Sequence, residues 1–258
     1  RPDPPGALRA TVVIPALDEA TALGSTVPAV RAALADVQAD GGLEIVVVDD
    51  GSTDGTADAA RAAGADQVVV LPLNRGKGAA VRAGVTVARG RTIAFTDADL
   101  AYSPDQLATV IAAVESGWDV AVGNRRHPRT HRVEGAGLLR DLGSRGVSLL
   151  ASAVLLSHPH DTQCGLKALR ADVAQLVFAL GRIDRFAFDI EMLHLLERYE
   201  CTVVEVPVRL RMGERSSVRL ARDTLRLLRD LWRIRHWSAV GAYELPADWA
   251  GSPAGAAP

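Results

Sequence analysis

The sequence predicts an α/β protein in which a mostly parallel central sheet is flanked by helices. Short apolar segments alternate with helical patterns about every 25 residues, which is the spacing of βαβ crossovers. Polar residues cluster directly after the apolar segments, and ligands of parallel sheets bind outside the carboxyl ends of the strands. The chain has 258 residues, of which 48% are hydrophobic, so we expect a sizeable core.

Five apolar segments in the first half of the chain are predicted strands, and helical patterns separate them. The strands are expected at Ala10–Pro15, Leu43–Val48, Gln67–Leu71, Thr92–Phe95 and Asp119–Val122. The helices are expected at Leu23–Val37, Ala57–Ala63, from the Asn74–Gly78 loop to near Gly90, and Pro104–Glu115. A proline ends the first strand and a glycine ends the second helix, as is typical of these residues.

The second half of the chain has more helix and fewer strands. Helices are expected at Leu138–Leu156, Ala171–Leu180, Phe186–Tyr199 and Arg219–Trp237, with a loop at His158–Gly165. Cys201–Leu210 is predicted to be an edge strand because it contains Pro207. We therefore expect a single domain at residues 10–240, between a flexible N-terminus at 1–9 and a flexible tail at 241–258.

The composition argues against several classes of protein. The net charge of −2 gives no indication of nucleic-acid binding. Two cysteines, Cys164 and Cys201, supply neither a disulfide framework nor a zinc site, and we expect buried thiols in a reducing compartment. There is no signal-peptide pattern at the start, and the longest uncharged apolar run, Val147–Leu156, is shorter than the roughly 20 residues that span a bilayer.

Two carboxylates follow the Thr92–Phe95 segment, at Asp97 and Asp99. Side chains two residues apart on an extended backbone point to the same side, so both carboxylates are expected at the carboxyl end of one strand. Such a pair suits Mg²⁺ or Mn²⁺ that also contacts phosphate oxygens. The alternative is a helix-capping segment, because aspartates are common where a strand leads into a helix.

Two common nucleotide-binding motifs are missing. The first strand is followed by Pro15-Ala16-Leu17-Asp18-Glu19 instead of the glycine fingerprint of a dehydrogenase. No Gly-x-x-x-x-Gly-Lys-Ser/Thr loop is present, so a P-loop NTPase is also excluded. Paired carboxylates at a strand end favour a metal–diphosphate site over either of these sites.

Seven motifs occur in an order that resembles the family 2 glycosyltransferases of the GT-A fold, and within them the polyprenyl-phosphate sugar synthases. They are Val13–Glu19, Val47–Thr56, Asn74–Gly78, Thr96–Leu100, Gly123–Arg125, Asp161–Lys167 and Phe186–Glu191. The resemblance extends from about Thr11 to Trp237 and is nearest to the synthases that glucosylate dolichyl phosphate, followed by those that mannosylate it.

The resemblance implies roles on the nucleotide side of the site. The residues expected to contact the nucleotide are Pro15, Leu17, Glu19, Asp50, Lys77, Asp97 and Ala98. Asp50 would recognise the base, because a carboxylate can accept hydrogen bonds from uracil or guanine. Asp97 and Asp99 would bind the metal and the diphosphate, with Asp99 the more direct ligand. Ser52 and Asp54 are expected to shape a turn, and the alternative for Lys77 is a solvated surface lysine.

Acceptor and sugar contacts are implied at Arg125, Arg126, Asp161 and Gln163. Arginine suits an anionic acceptor because its guanidinium binds phosphate in a bidentate fork, although Arg126 could also be a plain surface residue. The catalytic residues implied are Asp189, Asp99 and Arg125. Asp189 would orient the acceptor or the sugar or act as a base, and the alternative is that Asp189 and Glu191 cap the helix that begins there.

The predicted C-terminal helix is basic and amphipathic. Nine arginines and four acidic residues lie between residues 205 and 240. The arginines at 222, 226, 229 and 233 form one stripe, and the apolar residues Leu220, Leu227, Leu228, Leu231 and Ile234 are expected on the opposite face. The segment Arg219–Trp237 is then either an ordinary surface helix or an interfacial helix with Trp232 and Trp237 at a lipid boundary.

The sequence therefore predicts an inverting, metal-dependent hexosyltransferase that moves glucose from UDP-glucose to polyprenyl or dolichyl phosphate. The enzyme is expected in the cytoplasm, peripherally at the membrane face. Three alternatives remain: GDP-mannose as the donor, a soluble acceptor, or a nucleotide-sugar binding protein without turnover.

Overall fold

The computed structural model describes residues 3–132, 155, 161, 164–210 and 220–245. Its strands are β1 Leu8–Ala16, β2 Leu43–Asp49, β3 Gln67–Val70, β4 Gly90–Phe95, β5 Val120–Asn124, β6 His131–Arg132, β7 Lys167–Arg170, β8 Val203–Pro207 and β9 Arg209–Leu210. Its helices are α1 Ala20–Ala33, α2 Ala35–Ala39, α3 Thr56–Ala62, α4 Lys77–Val87, α5 Asp105–Glu115, α6 Ala171–Leu180, α7 Phe188–Arg198 and α8 Leu220–Ala239.

Seven strands form the central sheet in the order β3-β2-β1-β4-β7-β5-β8. All neighbouring pairs are parallel except those of β7, which runs antiparallel to both β4 and β5. The prediction of a mostly parallel sheet is confirmed. β8 is an edge strand, as the proline at its end predicted. A second sheet pairs β6 with β9.

The sequence prediction missed β7, which is only four residues long. In register, Lys167 of β7 lies between Phe95 of β4 and Val122 of β5. This insertion separates the carboxyl ends of β4 and β5 by two strand spacings, about 10 Å. Residues after β4 and residues after β5 therefore lie on opposite sides of the start of β7, and we call these two sides the walls, and the space between them the cleft, of the candidate site.

The sheet is covered on both faces by apolar side chains. Val13, Val46 and Val48 belong to one cluster with α4, α6, α7 and α8. Val12 and Ile14 belong to the other cluster, with α1 and α5. All seven residues of β2 are buried, which is typical of a central parallel strand with helices on both sides.

Element boundaries differ from prediction at a few places. The predicted helix Leu23–Val37 is two helices, α1 and α2, that meet at Leu34. The predicted strand Cys201–Leu210 is divided into β8 and β9 at Val208. The predicted helix Leu138–Leu156 lies almost entirely outside the described residues. Beyond α8, the turn that follows Ala239 returns to the core and places Tyr243 in its interior.

Within the described parts of the chain, every helix is too short or too polar to cross a lipid bilayer.

Candidate active site

Asp97 and Asp99 lie directly after β4, at the carboxyl edge of the sheet. The loop is held in place because Thr26 donates a hydrogen bond from Oγ1 to the Ala98 carbonyl at 2.6 Å and Ala98 is buried. Asp99 is exposed, and its Oδ1 accepts a hydrogen bond from the Ala101 amide at 3.0 Å. Leu100 closes the loop with a left-handed φ of 48°. The sequence thus builds a tight turn that places both carboxylates at the cleft.

Lys77 and Asp97 form an ion pair across the cleft floor. Lys77 is the first residue of α4 and follows Gly76, whose φ of 115° requires glycine. Although burial opposes both charges, Asp97 raises the pKa of Lys77, and Lys77 lowers the pKa of Asp97. The predicted alternative of a solvated lysine is wrong, because the side chain is mostly buried and paired.

Gly165 lies directly against the carboxylate of Asp97. A Cβ atom at this glycine would lie 2.2 Å from Asp97 Oδ2, which is far inside contact distance. Any larger residue would displace the carboxylate, so the glycine in the Asp161–Lys167 motif serves the geometry of the β4 loop.

Lys167 and Asp189 form a second buried pair at the same edge. Lys167 Nζ donates to Asp189 Oδ1 at 2.7 Å and lies 5.6 Å from the centroid of the Phe95 ring. Burial raises the pKa of Asp189, while Lys167 and then Lys77 oppose that rise. Sequence reasoning assigned no role to Lys167. The available signal was a lysine at the start of an otherwise apolar segment.

Arg125 and Asp161 form a bidentate ion pair on the opposite wall. Arg125 donates from Nε to Asp161 Oδ2 at 2.8 Å and from its terminal NH2 group to Oδ1 at 2.6 Å, and its backbone amide also donates to Oδ2. Asp161 is buried, and Arg125 holds the pKa of its carboxyl low despite that burial. The neighbouring Arg126 is half-buried. Gln163, predicted to face the sugar, lies outside the described residues.

The residues expected at the nucleotide surround the loops after β1 and β2. Leu17 is exposed, and Pro15 is half-buried. Both oxygens of the buried Asp50 accept backbone hydrogen bonds, from the amides of Arg75 and Gly76 at 2.9 and 2.8 Å. Asp50 therefore shapes the basic loop, and its contact with a base stays a prediction.

Glu19 is an acid that lies near Asp97 and Asp99. Burial first, and then the nearby carboxylates of Asp99, Asp54 and Asp97, raise the pKa of Glu19. Ser52 and Asp54 shape turns as predicted, because Ser52 Oγ accepts from the Asp18 amide and Asp54 accepts from the Ala20 amide.

Asp189 and Glu191 do not cap α7 by side-chain hydrogen bonds, so that alternative is wrong. Glu191 instead accepts hydrogen bonds from the amides of Arg182 and Ile183 and from the Tyr243 hydroxyl at 2.6 Å. Glu191 thus ties the loop before α7 to the turn after α8, while the adjacent Asp189 faces Lys167.

Asp97 and Asp99, the carboxylates of the loop after β4, suit a divalent cation whose remaining ligands come from the substrate. No described group of three or more histidine, cysteine or acidic residues is arranged to hold an ion without further ligands. Asp97 and Asp99 offer oxygen donors only, and Mg²⁺ commonly binds through one or two carboxylates with substrate phosphates and water. Burial first, and then the charges of Asp99 and Asp97, raise the pKa of Glu19, so a third carboxylate lies near the pair.

The C-terminal helix α8 packs on the core through Leu227, Leu231 and Ile234. Leu228 was predicted on that same face, but it is 44% exposed because it follows Leu227 and so lies about 100° round the helix. Trp232 is 65% exposed. The arginines at 226, 229 and 233 are exposed, as predicted, whereas the side chains of Leu220 and Arg222 lie outside the described part.

The two remaining predictions concern buried groups. Trp237 is partly buried, with the guanidinium groups of Arg182 and Arg233 at 5.8 and 5.4 Å from its ring centroid, and its place at a lipid boundary stays a prediction. Cys164 is fully buried, as expected for a thiol without a nucleophilic role, and burial raises its pKa. Cys201 is half-buried.

Comparison with known proteins agrees with the motifs. A model of the family "Glycosyl transferase family 2" matches residues 11–178. Dolichyl-phosphate beta-glucosyltransferase of Drosophila melanogaster is 32% identical over 253 residues, covering 92% of this chain and 78% of the relative. The enzyme of that name from Mus musculus is 33% identical, covering 78% of this chain and 66% of the relative.

A third relative has another sugar in its name. Dodecaprenyl-phosphate galacturonate synthase of Rhizobium johnstonii is 33% identical, covering 71% of this chain and 54% of the relative. The chain thus spans between 54% and 78% of the length of these three relatives.

Solved structures match the fold. Glucosyl-3-phosphoglycerate synthase from Mycobacterium tuberculosis, in complex with Mn²⁺, UDP and glucosyl-3-phosphoglycerate, has a TM-score of 0.61 and 19% identity, covering 93% of this chain and 82% of that chain. Mannosyl-3-phosphoglycerate synthase from Rubrobacter xylanophilus has a TM-score of 0.58 and 19% identity, covering 94% and 78%. At such identities the likeness establishes the GT-A fold alone.

Proposed function

The chain belongs to glycosyltransferase family 2, and we propose that it transfers a hexose from a nucleoside-diphosphate sugar to polyprenyl phosphate with inversion. Glucose and UDP-glucose are the favoured sugar and donor, because relatives that cover most of the chain are named for glucose transfer. The observation that carries the proposal is the convergence of Asp97, Asp99, Lys77, Asp189 and Arg125 on one edge of the sheet.

We assign the donor to the wall formed by the loops after β1, β2 and β4. Asp97 and Asp99 would hold Mg²⁺ or Mn²⁺, and related folds are solved with these ions and UDP. The cation, when bound, neutralises charge on the departing diphosphate. Lys77 would supply a fixed positive charge beside the diphosphate oxygens. The Glu19 carboxylate is repelled by the carboxylates of Asp99 and Asp97, and a bound cation would relieve that repulsion.

We assign the acceptor phosphate to the wall after β5. Asp161 fixes the orientation of the Arg125 guanidinium, so the positive charge is in place before the acceptor arrives. Arg126 would extend this wall, and the role of Gln163 stays a prediction from the sequence. A phosphate monoester is already anionic at neutral pH and attacks the anomeric carbon with little help from a base, so Asp189 is assigned to orienting the sugar or the acceptor.

The direct test is transfer of label from UDP-[¹⁴C]glucose to undecaprenyl phosphate in detergent with Mn²⁺. We expect label in the organic phase and its loss with EDTA. Replacing Arg125 by Lys should raise the KM for the lipid phosphate more than the KM for the donor, because lysine cannot reproduce the two hydrogen bonds to Asp161 that hold the positive charge in place. A defect confined to the donor KM would refute the acceptor assignment.

A soluble acceptor is the second candidate, because structural neighbours are named for glucose or mannose transfer to 3-phosphoglycerate. The same assay with 3-phosphoglycerate, and with GDP-mannose as donor, separates these alternatives. Label that stays in the aqueous phase as a phosphoglycerate product would replace the lipid proposal. Donor binding without any product would favour a binding protein.

A lipid acceptor also requires contact with a membrane, and we propose that α8 provides it at the cytoplasmic face. Leu228 and Trp232 lie on its exposed side among the arginines at 226, 229 and 233, which suits an anionic lipid surface. Trp232→Ala should reduce cosedimentation with phosphatidylglycerol vesicles severalfold. Trp118→Ala is the matched control, because Trp118 is also exposed, at 41%, and lies just before β5 instead of on α8. Equal effects of the two variants would remove the assignment to α8.

A further inference from the structure

Lys167 is a fully buried lysine at the start of β7, and its ammonium has three kinds of neighbour. It donates to Asp189 Oδ1 at 2.7 Å, it donates to the Cys164 carbonyl, and it lies over the Phe95 ring. Its strand is flanked by β4 and β5, which lead into the Asp97 loop and into Arg125. Lys167 therefore lies beneath the surface of the site, between the strands that lead into its two walls.

We propose that Lys167 is a positioning residue that holds Asp189 ionised and in a fixed orientation for sugar transfer. The inference rests on the proposed function. Lys167 engages Oδ1 of Asp189, so this bond restrains the carboxylate in the first turn of α7. A buried ion pair is a poor source of stability, because apolar residues of similar volume usually stabilise as well or better. The position of the pair gives it a different use.

Charges of both signs surround Asp189. Lys167 faces it from β7 and Lys77 faces it from α4, while Asp97 adds negative charge from the loop after β4. Without Lys167, Lys77 would have to balance the carboxylates of both Asp97 and Asp189, although its ion pair is with Asp97. Asp189 would then take up a proton more readily, because burial already raises its pKa and Lys167 is the charge that opposes this rise most strongly. The pair thus opposes the effect of burial on this carboxylate.

The same strand offers a matched control. Arg170 ends β7 at the far edge of the sheet, 4.0 Å from the fully buried Asp119. Arg170→Met and Lys167→Met each remove one cation from beside a buried aspartate in the same four-residue strand. Both variants should be less stable than the wild type, but only the second change lies at the cleft.

The kinetic test compares kcat for glucose transfer in the wild type, Lys167→Met and Arg170→Met, each corrected for the folded fraction. We expect Lys167→Met to lower kcat by about 10²-fold, the scale of a displaced catalytic group, while the donor KM changes little. Arg170→Met should keep kcat within about twofold. If Lys167→Met loses no more activity than Arg170→Met, Lys167 has a structural role only and the proposal is wrong.

A second test needs no turnover, so it separates failure of this inference from failure of the proposed reaction. The Asp189 carboxyl signal in ¹³C-aspartate-labelled protein can be assigned by its loss in Asp189→Asn. In Lys167→Met we expect its titration about one to three pH units higher than in the wild type. An unchanged titration would overturn the inference whatever the enzyme transfers.

The double variant Lys167→Met/Asp189→Asn controls for misfolding. It removes both charges, so its unfolding midpoint should lie closer to that of the wild type than the midpoint of Lys167→Met does. Its kcat should stay low because the ionised carboxylate is absent. Recovery of activity together with stability would contradict the positioning role.

Discussion

Buried carboxylates lie at both ends of the central sheet, but their partners differ. At the amino end, Glu44 accepts hydrogen bonds from Thr11, from the Arg89 amide and from the Arg89 guanidinium. Asp119 accepts from the amide and the hydroxyl of Thr202. These acids join neighbouring chain segments and face neutral donors or arginine.

At the carboxyl end, acids lie close to other acids and to lysines. In addition to burial, the carboxylates of Asp99 and Asp97 raise the pKa of Glu19, and Lys167 and Lys77 only partly offset the rise in the pKa of Asp189. Glu44 and Asp119 therefore join chain segments at the amino end, whereas Glu19, Asp97 and Asp99 form a group of acids at the carboxyl end that would suit a cation. The carboxylates at the amino end meet hydrogen-bond donors, whereas Glu19 and Asp189 at the carboxyl end are perturbed by burial and also by neighbouring charges, which is common at functional sites.

The largest effect is expected from Asp99→Ala. Loss of a direct metal ligand should lower kcat for transfer on the order of 10²–10³-fold, because the diphosphate then leaves without full charge neutralisation. The midpoint of thermal unfolding should not fall, since Asp99 is exposed. Asp58→Ala is the control, because it removes another exposed aspartate, on α3. Retained activity in the Asp99 variant would contradict the assignment of Asp99 as a metal ligand.

The second-largest loss of activity is expected from Gly165→Ala. The added Cβ would lie 2.2 Å from Asp97 Oδ2, so the carboxylate must move, and we expect about a 10²-fold loss of kcat/KM for the donor. Gly24→Ala is the control in α1, where a Cβ has no neighbour within 4 Å. Wild-type kinetics for Gly165→Ala would mean that the position of Asp97 is unimportant.

Glu44→Gln should show the opposite pattern at the amino end of the sheet. The buried amide cannot accept all three hydrogen bonds that the carboxylate accepts, so we expect a loss of about 1–3 kcal/mol in the free energy of unfolding. Urea denaturation measures this loss. The kcat of the folded fraction should match the wild type, and a tenfold fall would contradict the division between the two ends.

Glu19→Gln should give the smallest change. The raised pKa of Glu19 means that its ionised form costs stability above that pKa. The metal-free variant should therefore be slightly more stable than the wild type at pH 7, by less than about 1 kcal/mol. This advantage should vanish as the pH falls and the wild-type carboxyl becomes protonated in both the folded and unfolded states. Thermal melts with EDTA across about pH 4–8 test the sign.

The sequence predicted the sheet and most of the site because strand ends and turn residues follow local rules. Asp97 and Asp99 follow an apolar run, and alternation along a strand is enough to bring them to the same side. The antiparallel strand β7 could not be found in this way, because four residues carry too little periodicity and its pairing depends on distant strands.

The pairings between charged residues depend on the same long-range geometry. Nothing in the sequence indicates that the Arg125 guanidinium donates two hydrogen bonds to Asp161, or that Lys167 and not a neighbouring residue contacts Asp189. Leu228 was misplaced because helical periodicity identifies a face only to within about one residue, or 100°. Local patterns therefore located the residues of the candidate site, and tertiary contacts determined which charges pair.

Binding of UDP measured by titration calorimetry, with and without Mn²⁺, tests the central assignment most directly. If Asp97 and Asp99 hold a cation that bridges to the diphosphate, Mn²⁺ should tighten UDP binding in the wild-type protein by about tenfold or more. The double variant Asp97→Asn/Asp99→Asn should lose that dependence. Equal UDP affinity with and without Mn²⁺ in the wild type would contradict the account.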